Sequence, residues 1–560
     1  MRNLITLALI IIMNSLLISQ PVYDRSSMTI LMLDFKENHG TLLSNSFSKI
    51  QPPEKYFNNN INKNLLNPDF KRIPVSQGLE FMYFVPDQDV IRSLKNQKAA
   101  QNILSIWFNR QPDGSFNTDV LKERGLYNSD DNDFIIASSS KRGTANLMDM
   151  GLKLVNQSYI MVFDFFDIMT LEEYYVRKEI PAEKRLSNGF KAKVRCYLYK
   201  LEFGEAVASE FFQKYWISDT DPDKNKKKND FDNADFSFEV VSNHYTEVEA
   251  SQSNASNSNS TVKQKSQQEL MDELLKSALE NISGQIENKN QELRVKAMVM
   301  DTRPIASKIG KKEGLGFDQR YFVFENRMRK DGTVYPKRIA VVKSMKVIDN
   351  RKITSGESEP SLFYQIAGRK VDKMGMYLEQ KNDAGLNLFL GYNYKGLTGA
   401  DVRLEFYISK FMGDLVGKGK SGKPLTSLKL YIDGAYGTGK YYYESIEPEF
   451  TFTRVSLGLN KDFYPLKFLH WGPYLGYGLE FAEWDESEDQ VESDFVETGI
   501  RVGLNLSYRT QILWSYHYNF LISSKTVDKD KVDPDIDFDY ESIFNDRMGQ
   551  GASIGLRFMF

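Results

Sequence analysis

The sequence predicts an α+β multidomain chain, in which an α/β domain and a small β-domain precede a C-terminal antiparallel eight-stranded transmembrane β-barrel. Three observations predict this. From Leu386 to Phe560, apolar residues recur at every second position in eight segments, with polar or charged residues between them. Between residues 76 and 300, helical periodicity alternates with strand-like runs. At the start, Arg2 is followed by an apolar run from Leu4 to Ile18, the form of an export signal over residues 1–20.

Composition bounds the rest. A chain of 560 residues has room for several domains, and 41% hydrophobic with 13% aromatic content is ample for buried cores. The net charge of −3 gives no sign of nucleic-acid binding. Cys196 is the single cysteine, so an intrachain disulfide framework is excluded, and it reads as a small buried strand residue. The apolar run in 1–20 is too short to be the only anchor, no cysteine follows it for lipid attachment, and no later apolar helix appears. Export followed by barrel insertion fits this pattern.

Taken in order, residues 21–75 are polar and asparagine-rich and read as poorly ordered, with one short strand at Met28–Leu33. Residues 76–300 form the α/β domain. Asp87 caps a helix running to Phe108, and Ser140–Val155 is a second helix. Tyr159–Phe163 is a continuous apolar run and reads as a buried strand. Phe190, Ala192, Val194, Cys196 and Leu198 mark a strand with Ala206–Phe212 as its hairpin partner. Residues 218–266 read as a disordered insertion, because Lys224–Lys228 is a charge run and Ser251–Thr261 is nearly pure Ser and Asn. Asp219, Asp221, Asp223 and Asn225 echo a calcium loop, but the glycine and terminal glutamate it needs are missing. Ser266 and Glu269 have capping-box spacing for a helix with Leu270, Leu274, Ala278 and Ile282 on one face, and Leu293–Met300 reads as the strand closing the domain. Residues 301–382, with strands at Arg320–Glu325, Ile339–Val347 and Leu362–Ala367, form the small β-barrel-like domain. Gly310-Lys311 is a turn, since no phosphate-loop pattern surrounds it.

Residues 383–560 form the barrel. Its polar positions include Arg403, Glu405, Lys429, Asp433, Arg454, Glu480, Glu497, Arg501, His517 and Arg557. So many charges on one face are tolerable if they pair inside a barrel narrow enough for side chains to fill it. A plugged lumen is therefore expected over a conducting pore. Aromatics near strand ends, Tyr392, Tyr394, Trp471, Tyr474, Trp484, Tyr508 and Trp514, suit interfacial girdles. Residues 411–426 and 521–550 are long connections; the latter, acidic with Asp528, Asp530, Asp533, Asp535, Asp537 and Asp539, reads as a solvated external loop, with binding of a cation or a basic partner as the alternative.

The strand count, the polar interior and the terminal Phe560 with apolar residues alternating before it resemble the small outer-membrane barrels of the OmpA and OmpX kind, over about the last third of the chain. That resemblance implies recognition of the Phe560 strand by the barrel-assembly machinery, outer-membrane lipid around the barrel and N-terminal domains in the periplasm. The helix-then-strand unit around Lys141–Phe165 with the closing helix–strand pair is similar to the α/β domain of CsgG. The Gly310–Leu315 turn and the Tyr321–Glu325 strand resemble the C-terminal β-domain of flagellar assembly protein T.

Catalytic patterns are absent: there is no H-E-x-x-H, C-x-x-C, G-x-S-x-G or strand-borne G-x-G-x-x-G. His39, His244, His470 and His517 are scattered, and His517 reads as a lumen residue with Ser515 and Asn519. No catalytic, cofactor-binding or metal residue is assigned, and no cofactor is implied. The expected function is non-enzymatic: an outer-membrane barrel anchoring periplasmic domains that dock another, unidentified envelope protein. A secretion or transport component with a periplasmic gate and a barrel enzyme acting on lipid or peptide are the alternatives.

Overall fold

The computed structural model describes residues 25–560, apart from 128–151, 218–220, 254–263, 413–425, 485–488, 529–535 and the shorter stretches 37, 60, 62–63, 78–79, 332–333, 354–358, 373–375, 382 and 444–445. The export signal expected over 1–20 and the connection expected over 411–426 lie wholly or largely outside the described residues. So does most of the helix expected at Ser140–Val155, of which residues 152–155 are helical. The chain divides into two compact units: residues 22–294 with 351–358, and residues 295–350 with 359–560.

The first unit is built on strands β1 (Ser27–Leu33), β2 (Ser158–Thr170), β3 (Ser187–Leu201) and β4 (Phe238–Ser253). β1 runs parallel to β2, while β2–β3 and β3–β4 are antiparallel. Every residue of β1 is buried, because an uninterrupted apolar strand must be covered on both faces. On one face, α1 (Gly40–Phe47) and α6 (Gln267–Lys289) cover Met28, Met161, Phe163, Val194, Cys196 and Leu198. On the other, α2 (Asp87–Asn96) and α3 (Ala99–Trp107) cover Leu31, Ile160, Val162 and Tyr199. The result is an α/β/α sandwich. Ser266 and Glu269 cap α6 reciprocally, as their spacing predicts.

Five expectations need correction here. The N-terminal segment is not poorly ordered: β1 is a core strand, and short strands at Phe57–Asn58 and Leu65–Leu66 pair with it. The helix expected from Asp87 to Phe108 breaks in two at Lys98, whose backbone is left-handed at φ 55°. The hairpin partner of β3 is not Ala206–Phe212, which begins in the helix α4 (Glu205–Glu210). The insertion over 218–266 is not disordered throughout, for it contains α5 (Lys224–Asp232) and the whole of β4. Val248 and Ala250 face the core while Glu247 and Glu249 face out; the strand period was present, but the surrounding charge masked it. The strand expected at Leu293–Met300 shrinks to Lys296–Met298 and pairs in the second unit.

That second unit opens with a seven-stranded sheet: β5 (Lys296–Met298), β6 (Asp301–Thr302), β7 (Ile305–Ser307), β8 (Arg320–Met328), β9 (Val334–Lys346), β10 (Ser361–Gly368) and β11 (Met376–Gln380), in the order β6-β7-β10-β9-β8-β11-β5. The barrel follows: β12 (Leu386–Lys395), β13 (Gly399–Tyr407), β14 (Leu428–Lys440), β15 (Glu449–Lys461), β16 (Leu469–Trp484), β17 (Asp489–Asn505), β18 (Thr510–Asp528) and β19 (Gly549–Met559). Each pairs antiparallel with the next, and β19 pairs with β12, so eight strands close the ring. β18 extends to Asp528, so the connection expected from Leu521 begins well beyond that residue.

Candidate functional site

The barrel is inside out relative to a soluble protein. Val402, Leu404, Ile432, Val455, Leu457, Leu475, Ile500 and Leu556 point outward and are exposed. Arg403, Glu405, Lys429, Asp433, Arg454, Glu480, Glu497, Arg501, His517 and Arg557 point inward and are buried. All ten polar positions singled out in the sequence therefore meet in one lumen. Register explains this: with a period of two, each strand places its whole polar set on one face. Aromatics ring both ends of the outer wall. Tyr392, Tyr394, Tyr436, Tyr516 and Tyr518 lie toward the β12–β13 and β18–β19 connections, and Phe463, Phe468, Trp471 and Phe560 lie toward the opposite end, the base.

The lumen is filled in layers. Nearest the base, Glu405 accepts from Lys429 at 2.8 Å and from Arg557 at 2.9 Å. Lys429 and Arg557 both reach Asp462, at 2.7 Å and 3.2 Å, and Arg557 also meets His470 at 3.0 Å and Gln511 at 3.2 Å. In the middle, Arg403 lies 3.0 Å from Asp433 and 3.4 Å from Asp401, and Arg454 lies 3.5 Å from Asp433. Arg501 stacks on Tyr474 at 3.7 Å, and Tyr474 donates to Glu497 at 2.7 Å. His517 sits 3.9 Å from Glu497 with 1% of its surface exposed. At the far end, Arg547 grips Glu480 with two bonds, at 2.6 Å and 2.8 Å, and lies 3.6 Å over the Phe452 ring. Tyr540 donates to the same glutamate, and Phe450, Phe544 and Tyr540 form an aromatic stopper there. Burying a charge is tolerable when it is paired and hydrogen-bonded; Glu405 with Lys429 and Arg557, and Glu480 with Arg547, meet that condition, whereas in the middle all three Arg501 guanidinium nitrogens and both His517 ring nitrogens have no hydrogen-bond partner among the described residues.

At the base, the seven-stranded sheet touches the barrel at each of its connections. Asp318 accepts from the Ser427 backbone at 2.8 Å and from Ser409 at 2.7 Å, between β13 and β14. Lys343 lies 3.2 Å from Asp318, both side chains fully buried. The Tyr364 ring meets Tyr464, between β15 and β16, at 5.5 Å. Tyr508, between β17 and β18, packs against Phe322 and Arg338. Arg320 pairs with Asp383 at 2.6 Å, ahead of β12, and donates to the Phe560 carbonyl at the end of β19. Burial pushes the Asp383 carboxyl up, but the charge and hydrogen bonds of Arg320 outweigh it and hold the group at about 2. Burial, with Arg320 nearby, pushes the Lys381 ammonium down to about 8.

Sequence reasoning found the lumen and missed this base. Asp318, Arg320, Lys343 and Asp383 lie in segments with no distinctive motif, and their pairings are long-range. The stopper residues Tyr540 and Arg547 were hidden in a segment read as a solvated acidic loop. Of the calcium-like set, Asp219 lies outside the described residues, and the Asp221 carboxylate is taken by Lys227. No group of metal-ligating side chains occurs among the described residues. Among them too, no helix is long and apolar enough to cross a membrane, which says nothing of strands.

No family model matches the sequence, and no curated protein matches it. Among solved structures, the chain is similar to a major outer membrane protein from Thermus thermophilus, at 12% identity over 31% of this chain and 98% of that one, with a TM-score of 0.22. It is similar to the Neisserial surface protein A, at 12% identity over 32% and 100%, with a TM-score of 0.20. It is also similar to OmpT of Vibrio cholerae, at 7% identity over 43% and 97%, with a TM-score of 0.13. Scores this low carry no functional argument, which has to come from the barrel's own geometry.

Proposed function

We propose that this chain is an outer-membrane anchor: its barrel sits in the lipid bilayer and holds the N-terminal domains on the periplasmic side, where they dock another envelope protein. The observation that carries the reading is the reversed polarity of the barrel. An apolar wall between two aromatic rings, around a charged and packed interior, is stable in lipid and would be an aggregation site in water. The packed interior and the sheet held at the base favour an anchor over a conducting transporter. His517 is enclosed among Glu497 and neighbouring lumen groups, which favours a structural role over a catalytic one.

Two measurements on cells making the full chain test this. Unboiled, membrane-extracted protein should migrate faster than boiled protein on a gel. Protease added to intact cells should leave residues 25–382 uncut, while opening the outer membrane should expose them. A protein recovered without detergent, or cut within 25–382 on intact cells, would overturn the placement. Crosslinking followed by purification should then recover a defined envelope protein that is lost when residues 25–294 are deleted. An anchor with no such partner would leave the docking step without support.

A further inference from the structure

We propose that the base of the barrel carries a binding site for the phosphodiester headgroup of an anionic phospholipid, formed by Lys381, Lys410 and Arg509 with Arg338 beside them. This rests on the outer-membrane reading above. The strand ends place these cations on one arc of the rim. Lys410 follows β13, Lys381 precedes β12, Phe560 follows β19 and Arg509 precedes β18. β13, β12, β19 and β18 are successive neighbours in the ring. The Lys410 ammonium donates to the Asp383 carbonyl at 3.3 Å, which ties it to the segment ahead of β12. Arg338 lies over the Tyr508 ring at 4.5 Å and over Phe322 at 4.6 Å, and Lys381 lies 6.0 Å from the same Phe322 ring. Arg509 comes directly after Tyr508 in the β17–β18 turn and is exposed.

This arc is short of negative charge. Asp383 is taken by Arg320, which also holds the main-chain oxygen of Phe560, and Asp318 is taken by Lys343. Glu379, two residues before Lys381, is a buried carboxylate opposite Phe322. Lys381 is 6% exposed, and among the described residues its ammonium has neither a hydrogen bond nor an ion pair. A buried cation needs an anion beside it. Burial and the Arg320 charge, with Arg509 and Lys410 adding to them against the pull of Asp383, press this ammonium down to about 8, and an anion at the site would lift it again. Guanidinium and ammonium groups together suit a phosphate, the first through paired donors and the second as a point charge. The surroundings make that phosphate part of a lipid. Leu506 and Phe560, on the outer wall next to the arc, are 55% and 52% exposed, so the apolar wall ends where these cations begin. Headgroups of a bilayer lie at that level, and the acyl chains would run along Leu506 and Phe560. Four cations beside one buried carboxylate favour a headgroup of net negative charge over a zwitterionic one.

The test uses the full chain reconstituted in phosphatidylcholine vesicles that contain a trace of spin-labelled phosphatidylglycerol or of spin-labelled phosphatidylcholine, with the label far down one acyl chain. The motionally restricted fraction of each probe gives its relative affinity for the protein. Phosphatidylglycerol should be favoured several-fold at low salt. Arg509→Gln and Lys381→Gln should each reduce that preference and together bring it close to equality, while Lys381→Arg should keep it. Lys440→Gln, at the opposite end of the barrel, should leave it unchanged, and every variant should keep the fast-migrating unboiled band. No preference in folded protein, or a preference that survives the double variant, would overturn the site. If inorganic phosphate abolished the preference at an ionic strength matched with chloride, the site would take free phosphate and the lipid assignment would fall. A protein that neither inserts into the vesicles nor shows the fast band would overturn the membrane reading, and the site with it.

Discussion

At the scale of single residues, the lumen turns on a few carboxylates that each hold more than one cation. Glu405 holds Lys429 and Arg557. Glu405→Gln keeps the shape but removes the charge, leaving two buried cations with one fewer anion. Breaking one side of a buried pair typically costs about 3–5 kcal/mol. The fast-migrating unboiled band should therefore convert to the slow form at a clearly lower temperature than in the parent, and Glu239→Gln, on an exposed strand position, should not shift it. Asp383 provides a prediction in pH. Its folded pKa is about 2 against an ordinary 3.8, so its contribution is fully present above about pH 4 and is lost as pH falls toward 2. Hydrogen exchange in β8 and β11 should accelerate over that window. Asp383→Asn should remove this component of the pH dependence and leave exchange faster at neutral pH.

At the scale of elements, legibility followed periodicity. The barrel strands were readable because each repeats its pattern over nine or more residues, and α6 was readable because Ser266 and Glu269 announce it. Ser266→Ala should cost about 1 kcal/mol, the usual worth of such a cap, seen as a lower midpoint in denaturant for the first unit. β4 was not readable as a strand, because Val248 and Ala250 carry its inward face amid glutamates and serines; its place is set by backbone pairing along the whole of β3, not by its own composition. The base contacts were invisible for a related reason. Arg320 and Phe560 are 240 residues apart, and no local pattern encodes which distant group a lone arginine will meet. Segment 540–549 failed differently: acidic neighbours marked it as solvated, while Tyr540 and Phe544 carry the buried contacts.

At the scale of the whole barrel unit, three barriers stand in series along the lumen. The aromatic stopper around Phe544 closes one end, the ion-pair layers fill the middle, and the sheet carrying Asp318, Arg320 and Lys343 is fastened across the base connections. Current through a channel is limited by its narrowest section, so opening one barrier leaves the others in control. The intact protein in a planar bilayer should add no steps of current. Removing the stopper with Tyr540→Ala and Phe544→Ala should leave it silent, because Glu405, Arg403 and their partners still occupy the section below. Truncating both ion-pair layers as well, with Arg403→Ala and Asp433→Ala changed together and Glu405→Ala and Lys429→Ala changed together, should still give little current while the base is fastened. Frequent openings should appear only when Asp318→Ala is added and the sheet is loosened from Ser409 and Ser427. If the stopper variant alone conducted steadily while keeping its unboiled gel shift, the interior would not be a packed plug. The transport alternative would then displace the anchor.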